Sequence, residues 1–160
     1  MTVTDLKKLL TAGRHAHLIG IGGVSMFPLA ELLKGRGLVI TGSDAHKNPN
    51  VEHLLEQGFH VTIGHFAESV QGADLVIRTA AVHDDNPEIQ AARAAGIPVF
   101  ERAQAWGAIM MDYRNAICIS GTHGKTTTTS MCTYIAMAAH ADPTIMIGGN
   151  LPLLGAGYRV

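Results

Sequence analysis

The 160-residue chain balances 12 lysines and arginines against 13 aspartates and glutamates, and 47% of its residues are apolar. Such a composition belongs to a folded globular chain long enough to bury a core, not to a disordered one. A formal net charge of −1 with no basic run argues against nucleic-acid binding through bulk electrostatics, and no stretch reaches the ~18 uninterrupted apolar residues of a membrane span.

The first segment, "MTVTDLKKLLTAG", sets Leu6, Leu9 and Leu10 on one helical face but is interrupted by Asp5, Lys7 and Lys8. It lacks the apolar core and cleavage site of a signal peptide, so a cytoplasmic protein with neither membrane nor nucleic-acid partner is expected. "HAHLIGI" then reads as a strand and "SMFPLAELLKGRG" as a helix stopped by glycine. "LVITGSD" is a second strand, "NVEHLLEQG" a helix, and "HVTIGH" a third strand. "ADLVIRTAAV" is an apolar run suited to a strand covered on both faces. "NPEIQAARAAG", with proline at its start and glycine at its end, is a helix leading to the short strand "IPVF". This alternation predicts a Rossmann-like, doubly wound parallel α/β sheet with right-handed crossovers.

"ERAQAWGAIMMDYRN" is helix-like, with Met110 and Met111 taken as packing residues. A fresh strand is expected at "AICISG", then a helix to about His140 and a strand "PTIMIGG", the first β-α-β portion of a second, P-loop domain. The expected organisation is a domain over 1–107, a linker over 108–114 and the beginning of a second domain over 115–160. Cys118 and Cys132 form no metal-type pair and are expected as reduced thiols in the core.

Two glycine-rich turns carry the chemistry. "HLIGIGGVSM" puts Gly20, Gly22 and Gly23 between a strand and a helix, where glycines let backbone approach a diphosphate and the helix supplies unpaired N–H groups. The strict dinucleotide fingerprint fails at its last position, because Ser25 stands where the third glycine belongs. Asp44 closes the second strand, where an acidic side chain can accept from a ribose hydroxyl. Further on, "SGTHGKTT" has the parts of a shortened phosphate loop: Gly121 and Gly124 for the turn, Lys125 for phosphate charge, and the Thr126 hydroxyl for Mg²⁺. Thr126–Thr129 make a poor helix interior but a good helix start. His15 and His17 share a strand face without a third ligand, so they predict no metal site. In "HDDN", Asp84 and Asp85 are read as favouring the start of the helix that follows.

The blocks "HLIGIGGVSM", "GSD", "IGH", "DNPEIQAARAAGIPV" and "ISGTHGKTTTTSM" occur in the order found in the Mur ligases, and from about residue 15 to 150 the chain resembles that family. Within the family it most resembles the branch that joins L-alanine to UDP-N-acetylmuramate in peptidoglycan precursor synthesis, with the tripeptide-recycling branch as sibling. The resemblance implies an ATP-dependent ligase with a UDP-sugar domain, a central ATPase domain and a third domain receiving the amino acid. ATP would phosphorylate the sugar's carboxylate before the amine attacks. Gly20, Gly22, Gly23, Val24, Ser25 and Met26 would hold the UDP diphosphate, with Ser43, Asp44, His65, Thr79, Ala80 and Arg102 around the same cleft. Gly121, Thr122, His123, Gly124, Lys125, Thr126 and Thr127 would bind ATP; Lys125 and Thr126 would be catalytic, and Thr126 would ligate Mg²⁺. The family's remaining parts would lie beyond Val160, so this chain is expected to bind UDP-sugar and not to catalyse. Two other readings stand beside this one: a nicotinamide-dependent oxidoreductase domain using the first turn, and a nucleotide-binding module without activity.

Overall fold

The computed structural model describes residues 2–160, which divide into two compact units, one running to Arg114 and one from Asn115 onward. The first unit contains α1 (Val3–Leu9), β1 (His15–Ile19), α2 (Phe27–Gly35), β2 (Val39–Asp44), α3 (Pro49–Glu56) and β3 (His60–Ile63). A 3₁₀ turn (Ala67–Val70), β4 (Leu75–Arg78), α4 (Pro87–Ala94), β5 (Val99–Glu101) and α5 (Arg102–Met110) complete it. The strands form one parallel sheet in the order β3-β2-β1-β4-β5, the doubly wound arrangement predicted.

The central strands β1 and β4 are apolar because they are covered on both faces, whereas the edge strand β3 is largely exposed. In β1, Ala16, His17, Leu18 and Ile19 are all buried, yet they alternate between faces. Ile19 packs in a cluster with Val70, Val76, Ile89 and Ala92, so the α4 face is the one His17 and Ile19 share. The register pairs His17 with Thr41 and Ile19 with Ser43, which brings those polar β2 residues onto the same face. Helix starts are set by short polar side chains: Asn48 accepts from Val51 N, and Asn86 from Glu88 N and Ile89 N, each followed by proline.

Two expectations for this unit are corrected. The run through Val82 is not one strand: β4 stops at Arg78 and Thr79–Val82 turn, because the Arg78 guanidinium donates to Val82 O at 2.6 Å and Val82 N to Thr79 O. The cap of α4 is Asn86, while Asp84 instead meets Arg78 (3.4 Å) and Arg93 (3.1 Å).

The second unit consists of α6 (Lys125–Ala138), β6 (Ile145–Leu151) and β7 (Ala156–Arg159). It is not the β-α-β expected. No strand forms at 116–121, since nothing among the described residues pairs with it, and β6 turns back antiparallel onto β7 through a tight loop in which Gly155 has φ +65°. Ile145, Ile147 and Leu151 form a small core with Met137 and Leu154. This hairpin covers the α6 face carrying Thr133 and Met137, so Cys132 is exposed, as is Cys118, contrary to the core placement expected.

Candidate functional site

In a doubly wound sheet, ligands bind outside the carboxyl ends of the strands, where the strand order reverses. Here that point lies between β1 and β4. The loop after β1 is the glycine turn. Gly20 donates from N to Ser43 O (2.8 Å), Gly23 N to Gly20 O (3.1 Å), and both Met26 N and Phe27 N to Gly23 O. The N–H groups of Val24 and Ser25 make no hydrogen bond among the described residues, and Val24 is 68% exposed. The turn therefore presents two open donors in front of α2, with the helix dipole behind them.

Gly20 and Gly22 are glycine for steric reasons. Gly20 has φ +78°, and a Cβ there would lie 2.6 Å from Thr79 Cγ2. A Cβ on Gly22 would lie 2.6 Å from Val51 Cγ2 and 2.7 Å from Asn48 Nδ2. Gly22 is fixed on both sides: its N–H donates to Asp44 Oδ2 (2.9 Å) and its carbonyl accepts from Asn50 Nδ2 (2.8 Å). Asp44 thus holds the turn as well as ending β2. Asn48 and Asn50 escaped the sequence reading, although the Asn48-Pro49 pair is the same helix-start signal as Asn86-Pro87.

The other predicted residues reach this edge by their own strands. Thr79 and exposed Ala80 follow β4, His65 follows β3, and Arg102 begins α5 after β5. Arg102 Nη1 donates to Ser25 Oγ, and Trp106 Nε1 to Ser25 O at 3.3 Å, so the glycine turn is braced from α5. Two of the side chains are turned inward. Met26 is fully buried and packs in the core, and Ser43 is fully buried with its hydroxyl directed to Glu88.

That glutamate is the main residue the sequence reading missed. Glu88 lies at the start of α4 with Ile89 and Ala92 on the helix's buried side and is 0% exposed. Its Oε2 accepts from Ser43 Oγ (2.7 Å) and from His65 Nδ1 (2.9 Å). Its Oε1 stands 3.4 Å from His17 Nε2, long for a hydrogen bond, and neither atom makes any other. Burial pushes the Glu88 carboxyl up, but the polar groups of His17, Ser43 and His65 more than reverse this and hold it below the usual carboxylate range. The polar line continues away from the cleft: His17 Nδ1 to Thr41 Oγ1 (2.8 Å), Thr41 Oγ1 to His15 Nε2 (2.8 Å), and His15 Nδ1 to Gly72 O (3.0 Å).

In the second unit, Gly124 (φ +77°) precedes α6 and lets the chain turn into the helix at Lys125. Residues Gly121 to Thr128 are exposed, including Thr122, His123 and Thr127. Lys125 Nζ rests on loop carbonyls, Gly121 O at 2.6 Å and Thr122 O at 3.3 Å. Thr129 and Ser130 turn their hydroxyls back to the helix carbonyls of Lys125 and Thr126, whereas the Thr126 hydroxyl makes no hydrogen bond among the described residues. An accessible lysine, an open hydroxyl and left-handed glycine at a helix start suit nucleotide phosphate and its Mg²⁺.

The profile of the "Mur ligase family, catalytic domain" matches residues 15–114. The chain belongs to the Mur ligase family. Among curated Mur ligases, it is 47% identical over 147 residues to UDP-N-acetylmuramate–L-alanine ligase of Clostridium botulinum strain Kyoto, covering 92% of this chain and 32% of that protein. The corresponding ligase of Caldanaerobacter subterraneus is 46% identical over 156 residues, covering 98% and 33%. The chain thus spans about a third of the length of these relatives. Of solved Mur ligases, UDP-N-acetylmuramate-alanine ligase MurC of Thermotoga maritima superposes with TM-score 0.81 at 31% identity, over 91% of this chain and 34% of that one. The UDP-N-acetylmuramate:L-alanyl-gamma-D-glutamyl-meso-diaminopimelate ligase from Neisseria meningitides gives 0.84 at 30% identity, over 93% and 47%.

Proposed function

We propose that the first unit forms a UDP-N-acetylmuramate-binding domain and that 115–160 begin an ATP-binding domain. The stretch 108–114, expected as a linker, lies within the first unit, with Ala108 and Ile109 buried and Asp112 paired with Lys7 and Arg36. The whole protein would add L-alanine to the carboxylate of that sugar nucleotide in peptidoglycan precursor synthesis, in the cytoplasm where ATP and the nucleotide are available. The observation that carries the reading is the pair of open N–H donors at Val24 and Ser25, at the strand-order reversal of the sheet. A diphosphate supplies the acceptors and negative charge that these donors and the α2 dipole favour. Asp44 borders the ribose side, with His65, Thr79, Ala80 and Arg102 around the remainder of the cleft. Arg102 adds the positive charge that the turn itself lacks. The names of the relatives support a sugar nucleotide here over a nicotinamide dinucleotide.

ATP with Mg²⁺ would supply the phosphoryl group that activates the carboxylate. Gly121 to Thr127 would wrap its phosphates, with Lys125 neutralising charge and Thr126 offering its hydroxyl to the metal. Calorimetric titration of the chain with UDP-N-acetylmuramate, NAD and ATP tests the reading. Binding of the UDP-sugar in preference to NAD is expected. Tight NAD binding with no response to the UDP-sugar would overturn it.

A further inference from the structure

Among the described residues Glu88 is the one aspartate, glutamate, lysine or arginine that is buried, and nothing in the nucleotide reading uses it. It is not isolated. Three elements converge on its carboxylate: Ser43 from β2, His65 from the loop after β3, and His17 from β1. Its own helix adds Asn86, which accepts from the Glu88 N–H at 2.9 Å. A carboxylate only accepts, so each close neighbour of Oε2 must bring a hydrogen. Ser43 brings its hydroxyl hydrogen. His65 must bring a hydrogen on Nδ1, and the neutral ring then has none on Nε2. That second nitrogen makes no hydrogen bond among the described residues, and the side chain is 22% exposed.

We propose that Glu88 is a positioning residue for nucleotide recognition. It holds His65 with Nδ1–H turned inward and Nε2 left as a bare acceptor, so the cleft selects a nucleotide that offers a hydrogen-bond donor there, a ribose hydroxyl or the uracil imide N–H. This rests on the UDP-sugar reading for the ligand but not for the tautomer. Ring orientation fixed through the far nitrogen is the same device that orients metal-ligating histidines, whose supporting carboxylates matter nearly as much as the ligands.

The test uses the 160-residue chain with ¹⁵N-labelled histidine. In the unliganded wild type at neutral pH, His65 should show the Nδ1–H tautomer; the Nε2–H tautomer overturns the proposal whatever the chain binds. Glu88→Leu removes both accepting oxygens and frees the Ser43 hydroxyl to donate to His65 Nδ1, 3.2 Å away. It should shift His65 toward the other tautomer and weaken UDP-N-acetylmuramate by about tenfold or more. In a His65→Ala background, the same change should cost about twofold or less, because its route to the ligand is gone. Additive losses overturn the proposal, since Glu88 would then act on the scaffold and not through His65. If Glu88→Leu does not fold, the wild-type spectrum still decides. The expected tautomer without any UDP-sugar binding overturns the nucleotide role and leaves the hold on His65 standing.

Discussion

Gly22 and Asp44, 22 residues apart, are joined by a backbone N–H donated to a carboxylate oxygen at 2.9 Å. One side chain at the end of β2 thereby fixes the loop after β1, and the two neighbouring strands share a single cleft edge. Asp44→Ala leaves the buried Gly22 N–H without a partner and should cost about 1–3 kcal/mol of stability. Asp44→Asn keeps an accepting oxygen and should cost less, though it removes the charge. Denaturant midpoints compare the two, and equal losses would show that the bond to Gly22 contributes little.

Gly20→Ala should destabilise by roughly 1–2 kcal/mol from its left-handed backbone alone, with the clash against Thr79 Cγ2 added. Thr79→Ser removes that methyl. In the double variant the clash is relieved and the backbone strain remains, so stability should recover only in part. Full recovery in thermal melts would mean that φ at residue 20 relaxes freely.

Acid should reveal Glu88. Its folded carboxyl sits below the ordinary value of 4.5, so the unfolded chain binds this proton more readily than the folded one. The stability it contributes is therefore present above that value and is lost as pH falls through the lower, folded one. Asp5, Asp74 and Asp112 are also held low, by Thr2, by His15 and Arg14, and by Lys7 and Arg36, and they contribute an acid slope of the same sign. Melting temperature between pH 7 and pH 3 should fall more steeply in wild type than in Glu88→Gln. Parallel curves would remove Glu88 from the acid response.

Lys125 and the loop before α6 lead to a prediction about turnover. The sole carboxylate side chain between Asn115 and Val160 is Asp142, and it is paired with Arg159. With no further acidic group in this unit to share the metal, the chain should bind ATP without releasing phosphate when given UDP-N-acetylmuramate and L-alanine. Lys125→Met should weaken ATP binding by about tenfold or more, the loss expected for a charged hydrogen bond. Steady phosphate release from the wild-type chain would contradict the first statement, and unchanged ATP affinity the second.

Strand and helix order in the first unit was readable from apolar periodicity and the glycines that end the helices, because a doubly wound sheet repeats one local pattern. The strand ends that carry most of the candidates were readable too, since Gly20, His65, Thr79 and Arg102 each come just after a strand. What escaped was the support beneath it. Glu88 looks like a first-turn acid of an ordinary helix, and only its place on the Ile89 and Ala92 side marks it as inward. Ser43 and Met26 turn out to be buried, because position beside a glycine turn does not decide which way a side chain points. The missing strand at 116–121 has another cause: pairing is a property of two segments, and an apolar run alone cannot supply the second.

The line from Gly72 through His15, Thr41 and His17 to Glu88 has an arithmetic of its own. It contains four contacts, and each needs one hydrogen between its two heavy atoms. Both ends, a carbonyl and a carboxylate, can only receive. Two neutral imidazoles and one hydroxyl provide three hydrogens. If His15 gives its own to Gly72, Thr41 gives to His15, and His17 gives to Thr41, then nothing is left for Glu88, and the 3.4 Å gap falls at that contact. The row is one hydrogen short, and the shortfall falls at its longest contact, beside the one buried carboxylate among the described residues.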